Sequence, residues 1–319
     1  MVKKQSTKEK AELRKRLKEE FANKHPGVKS GMTSDEVFRM DTGQLWYVDK
    51  TKTFMFNQTR SHVENSFLVR SPRYPEVLES RRKENCDDKA EMERAKKESA
   101  KLVKEVLAEV LGMTEEEAQA HVYNMAKEEV ESTRHPAYNA MVWVMGDLLK
   151  QCDAYMETLP IWGTKTNPGW LRDVKGIGTK LGAKLLCIVK DYQRFKRPSS
   201  LWAYFGVGDA SKEKRVHGTQ LHHSPKGRSL MYIMAESFIK QGTEPYRTIY
   251  DQRKEHTRVT HPEWHGIREE GEKNMHPKHA DRDARRVMMK EFLKDFWLES
   301  WKADGKVAPS KPFEKAEAA

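Results

Sequence analysis

Glycine and lysine meet in one stretch with the makings of a phosphate grip. Val174-Lys175-Gly176-Ile177-Gly178 runs into Thr179-Lys180-Leu181-Gly182-Ala183-Lys184-Leu185-Leu186. Glycine reaches positive φ without a Cβ penalty, so a turn through Gly176 and Gly178 can bring backbone N–H groups up to an anion at the start of a helix. Apolar or small residues at 181, 182, 185, 186, 188 and 189 follow a helical spacing that sets Lys180 and Lys184 on another face. Ile177 is expected to point inward and pin two helices together, while Lys175, Lys180 and Lys184 offer point charges to the same ligand. The stretch therefore reads as a helix-hairpin-helix, with a plain helical hairpin and a solvated lysine face as the alternative. Two further basic runs follow, Ser211-Lys212-Glu213-Lys214-Arg215 and Ser224-Pro225-Lys226-Gly227-Arg228. The candidate phosphate contacts are thus Lys175, Gly176, Ile177, Gly178, Lys180, Lys184, Lys212, Lys214, Arg215, Lys226 and Arg228.

Charge is distributed in favour of this region. Between Trp170 and Arg258 there are 18 Lys and Arg against 8 Asp and Glu, so nearly all of the chain's net +11 lies there. A concentrated positive field beside a phosphate-shaped turn points to nucleic acid rather than to a small phosphorylated metabolite. The basic residues are interleaved with Trp, Tyr and Phe, which argues against an amphipathic membrane-surface helix. No apolar run approaches the roughly 18 residues of a spanning helix, and none opens the chain, so a cytoplasmic, nucleoid-associated protein is expected. Cys86, Cys152 and Cys187 are widely spaced, which argues against a disulfide framework or a thiolate zinc site.

The elements that would position the grip follow from periodicity. At 319 residues the chain has room for one large or two modest domains, but hydrophobic residues are only 37% and charged residues 34%, so part of it must be solvated helix or tail. Residues 1–30 read as a basic helical arm. Residues 31–75 read as a small β element, because Leu45-Trp46-Tyr47-Val48, Thr51 to Phe56 and Phe67-Leu68-Val69 are rich in β-formers. Residues 76–165 read as helical: one helix from about Asp87 to Leu111, one opened by the capping box Thr114-Glu115-Glu116-Glu117, and one from about Tyr138 to Leu159. Residues 166–256 hold the helix-hairpin-helix region, 257–303 a His-rich link and a long amphipathic helix, and 304–319 a tail. The fold class expected is mainly α, with charged tails.

The order of motifs from Trp170 onward resembles a known family. Val174-Lys175-Gly176-Ile177-Gly178, Ala183-Lys184-Leu185-Leu186, Arg194-Phe195, Leu201-Trp202-Ala203-Tyr204-Phe205-Gly206-Val207 and Lys226-Gly227-Arg228-Ser229-Leu230 are similar, over about residues 170–240, to the C-terminal domain of insertion-sequence transposases of the IS-one-ten and IS-one-sixteen group. The resemblance implies a transposase-like DNA-binding protein acting in recombination or transposition. It also implies a RuvC-like domain with four metal-binding acids, which the charged helical opening of this chain does not supply, and a nucleophilic serine followed by glycine. Ser211 is the nearest match, with Lys212 in place of the glycine and no visible activator.

Three readings are carried forward. The first is a backbone-gripping DNA binder without its own RuvC-like catalytic domain and without a cofactor. The second is an active serine recombinase using Ser211, for which a divalent metal is the expected cofactor. The third is a structural scaffold that binds structured RNA and assembles as a homo-oligomer. His256, His261, His265, His276 and His279 match no zinc-finger spacing, so no metal site is assigned. Trp202, Tyr204 and Phe205 have the spacing of core residues, with base stacking as the other use of the same side chains.

Overall fold

The computed structural model describes residues 12, 15, 16, 19, 32–85, 88–132, 135–208, 221, 223–265 and 278–309. Among them the secondary structure is helical: α1 Ser34–Leu68, α2 Tyr74–Lys83, α3 Lys89–Leu111, α4 Glu115–Glu131, α5 Pro136–Met156, α6 Trp170–Asp173, α7 Thr179–Val189, α8 Pro198–Tyr204, α9 Pro225–Gln241, α10 Tyr246–Thr260 and α11 Lys278–Ala303, with short 3-10 turns at Tyr192–Arg194 and Pro262–His265. The mainly α expectation holds. Of the arm, Glu12, Lys15, Arg16 and Glu19 are helical and exposed; the rest of it, and the tail from 310 on, lie outside the described residues.

The small β element is corrected. The stretch assigned to strands lies inside α1, a helix of 35 residues. Buried positions Val37, Asp41, Leu45 and Val48 recur every three or four residues, and that period overrides the β propensity of the Trp-Tyr-Val and Thr-rich runs. The helix is started by a box that mirrors the one at Thr114. Thr33 N–H donates to Glu36 Oε2 at 2.8 Å and Glu36 N–H donates to Thr33 Oγ1 at 3.2 Å, which satisfies two of the N–H groups that no helical turn can reach.

The chain divides into two units, residues 43–148 and residues 1–42 with 149–319. In the first, α2, α3 and α4 pack through Val77, Val103, Val106, Leu107, Ala118, Val122 and Ala126, joined by Val63 and Leu68. Thr114 caps α4 as expected, accepting from Glu117 N–H. The second unit is built on α11. Phe292 lies in the middle of that helix, stacked on Trp170 at 5.9 Å and meeting Phe238 and Tyr246 edge-on at 5.2 and 5.6 Å. Trp297 donates to Phe195 O at 2.7 Å, and Trp202 donates to Lys290 O at 2.8 Å. Buried indole donors spent in this way fix α8 and the preceding loop on α11. α10 runs antiparallel to α11, with Tyr246 donating to Asp295 and Arg253 paired with Asp283 at 2.7 Å.

Candidate nucleic-acid interface

The glycine stretch is delivered by a short, heavily anchored element. α6 is a single turn of four residues, so the first helix of the expected hairpin is reduced to that turn. It is held at both flanks. Trp170 stacks on Phe292, and Arg172 donates to both oxygens of Asp153 at 2.9 Å, to Glu157 at 3.2 Å and to Gly163 O at 2.9 Å. The guanidinium also lies over the Trp162 ring, 5.2 Å from its centre, and Trp162 Nε1–H donates to Asp153 at 2.9 Å. The Arg172 and Asp153 side chains are 15% and 16% exposed, so this pair, in which one guanidinium nitrogen serves both carboxylate oxygens, is a sheltered structural clamp.

Beyond α6 the chain makes its elbow. Ile177 N–H donates to Val174 O at 3.0 Å and Gly176 has φ +88°, a left-handed value natural to glycine. Ile177 is buried, as expected. Gly178 is exposed and extended, with φ −87° and ψ 176°, so it needs no positive φ, contrary to the sequence reading. It opens α7 as the N-cap: its carbonyl accepts from Leu181 and Gly182, while Thr179 and Lys180 N–H precede the first intrahelical bond. The carbonyls of the elbow face inward. Thr243 Oγ1–H donates to Lys175 O and Ser237 Oγ–H to Gly176 O, each at 2.8 Å.

Lysine placement differs along α7. Lys175 is exposed and Lys180 half-buried, but Lys184 is only 7% exposed. The expectation that Lys180 and Lys184 share a solvated face is therefore corrected for Lys184. α7 is enclosed around most of its circumference: Gly182, Ala183, Lys184, Leu185, Leu186 and Val189 are all buried. At Gly182 a Cβ would meet the Trp162 ring at 2.5 Å, so only glycine permits that approach.

Lys226 and Arg228 are exposed in the first turn of α9, where Ser224 caps the helix by accepting from Gly227 N–H at 3.1 Å. They are not at the elbow. α9 packs antiparallel to α7, with its far end, at Ser237, against Gly176 and with Lys226 close enough to the Cys187 thiol, toward the other end of α7, to act on it electrostatically. The eleven residues from Lys226 to Ser237 rise about 17 Å along the helix. Buried Lys184 in mid-helix aside, the described candidates thus fall into two groups, one at each end of the α7/α9 pair.

Ser211, Lys212, Lys214 and Arg215 lie outside the described residues, between Gly208 and Leu221. Phe205 is buried, and Trp202 and Tyr204 pack against the core, so the core use of these aromatics holds. Cys152 and Cys187 are unpaired thiols, and burial pushes Cys152 up to about 12. His261 pairs with Glu263 and stacks on Trp264 at 4.0 Å, while His265 meets Thr257 at 3.0 Å. Among the described residues no group of three His, Cys, Asp or Glu side chains could hold a metal ion, and no helix is long and apolar enough to cross a membrane. Sequence reasoning missed Arg172, Ser237 and Thr243. Their partners lie 19, 61 and 68 residues away, where local pattern carries no signal.

Residues 170–251 match the model of the Transposase IS116/IS110/IS902 family. The matched segment opens at Trp170 and ends in the first turns of α10, so it contains the elbow, α7, α8 and α9. No curated protein and no solved structure matches the chain.

Proposed function

We propose that the protein is a transposase-like DNA-binding protein that grips the phosphate backbone from the outer side of the elbow. Lys175 and Lys180 supply charge, the N–H groups at Gly176, Gly178 and Thr179 supply donors, and Lys226 and Arg228 form a second cationic group at the far end of α7 and α9. Lys212, Lys214 and Arg215 add to the basic charge of the same stretch of sequence. The observation that carries the reading is the orientation of the elbow: its carbonyls are bonded inward to Ser237 of α9 and to Thr243 just beyond its C-cap, while Lys175 and Gly178 are exposed. Contacts of this kind position a protein on nucleic acid without reading its sequence. Among the described residues there is no strand, which supports the reading of a binder without its own RuvC-like catalytic domain.

The test is a salt titration of duplex binding by fluorescence anisotropy. The log-log slope should be about −0.9 per phosphate neutralised, and Lys175→Ala should reduce it by about one contact. A flat salt dependence, or a slope unchanged by Lys175→Ala, would remove the elbow from the interface. Structured RNA in parallel titrations decides between the two nucleic acids, and size exclusion with each reports assembly.

The family match favours a second reading, an active recombinase in which Ser211 attacks a phosphodiester with divalent metal as cofactor. Strand transfer by the parent that is lost in Ser211→Ala while binding is retained would establish it. No strand transfer by either form leaves the binder.

A further inference from the structure

Two hydroxyl groups decide which way the elbow's peptide groups point. Resting on the reading that the elbow grips phosphate, we infer that Thr243 and Ser237 are positioning residues that hold the Gly176 N–H toward the ligand side. The bond from Ile177 N–H to Val174 O, with Gly176 at φ +88°, is the signature of a type II turn with Lys175 and Gly176 at its centre. A type II turn and a type I turn differ by a flip of the central peptide, here the one joining Lys175 to Gly176. In a trans peptide the C=O and N–H point in opposite directions. The Thr243 hydroxyl holds Lys175 O at 2.8 Å on the α9 side, so the Gly176 N–H of the same peptide points away from α9, beside exposed Lys175. The next peptide is fixed at both ends, Gly176 O by Ser237 at 2.8 Å and Ile177 N–H by Val174 O at 3.0 Å.

The arrangement is traceable to the end of α9. Gly242 takes the left-handed C-cap conformation, φ 58° and ψ 50°, and turns the chain so that Thr243 N–H also reaches Phe238 O at 3.0 Å. Thr243 arrives only 2% exposed, where a hydroxyl needs an acceptor, and the Lys175 carbonyl is the one it reaches. Valine would fill the same space without the hydrogen bond.

The experiment uses the full chain labelled with 15N-glycine. In Thr243→Val the Gly176 amide resonance should move in the free protein, and duplex affinity should fall about tenfold, the scale of one hydrogen bond to a charged group. The salt slope should stay at the parent value, because the lost donor is neutral. Thr243→Ser should restore both readouts, and Ser237→Ala should shift them in the same direction by less, which covers the case that Thr243→Val does not fold. Gly176 resonances and affinity unmoved in both Thr243→Val and Ser237→Ala would overturn the inference. So would an affinity loss with a reduced salt slope, which would mean displaced cations instead of a turned peptide. If Lys175→Ala leaves binding untouched while Thr243→Val moves the Gly176 amide, the positioning holds and the phosphate reading is what fails.

Discussion

The inner and outer sides of the elbow are built from the same kinds of residue put to opposite uses. Arg172, just before the elbow, and Lys184, within α7 beyond it, are sheltered, and Arg172 is held by two carboxylates, a carbonyl and an indole ring. Lys175 and Gly178, within six residues of Arg172, are exposed. Positive charge at this site therefore divides into a structural share and a share presented to solvent, and net charge alone does not tell them apart. The difference teaches that stability and binding should separate by side of the elbow.

Arg172→Ala should break that separation most severely. It leaves Asp153 and Glu157 without their cation in a sheltered place, an expected loss of about 3 kcal/mol or more, measured by urea denaturation. Gly176→Ala comes next. The left-handed backbone costs a non-glycine residue about 1 to 2 kcal/mol, and the new Cβ would lie 3.1 Å from Ser237 Oγ, so stability and binding should fall together. Gly178→Ala sharpens the contrast, because its added Cβ meets nothing within 4 Å and its φ suits any residue. It should cost about 0.5 to 1 kcal/mol of stability, at the scale of an N-cap change, yet weaken duplex binding by placing a methyl group at the donors. Lys175→Ala should leave the unfolding free energy within about 0.5 kcal/mol of the parent while changing the salt slope.

A smaller effect belongs to pH and to a part of the same unit away from the elbow. Burial pushes the Asp283 carboxyl up, but hydrogen bonds from Arg286 and Arg253 outweigh it and hold the group below its ordinary range. Its contribution is thus present above the unfolded carboxylate value near 4 and is lost as pH falls through the lower folded value. Asp283→Asn should flatten the acid limb of the stability profile, recorded as melting temperature between about pH 2 and 6. An unchanged limb would assign acid sensitivity to other carboxylates.

Much of the helical order was legible because periodicity is local. The helix expected from about Asp87 to Leu111 is α3, and the long amphipathic helix near the C-terminus is α11. The strands expected within 31–75 fail for a reason also local: the β-branched and aromatic residues there carry a strand signal that the three-to-four spacing of Val37, Asp41, Leu45 and Val48 overrides. Thr33-Ser34-Asp35-Glu36 carries the same box pattern as Thr114 to Glu117 and could have corrected it. Lys184 could not be placed by the same means, since a helix enclosed on most sides has no single apolar stripe to read. Nor could Thr243 or Ser237, whose role exists only once α9 has folded back onto the elbow.

The antiparallel pairing of α7 with α9 makes the molecule a ruler. One cationic group sits at each end, about 17 Å apart along the α9 axis, which is about five steps of 3.4 Å on one strand of a duplex. On the proposed reading a mononucleotide would occupy one end and gain nothing from the other. A polymer long enough to reach both would bind its second contact from within its first complex, so affinity should climb with oligonucleotide length and level off once the span is covered.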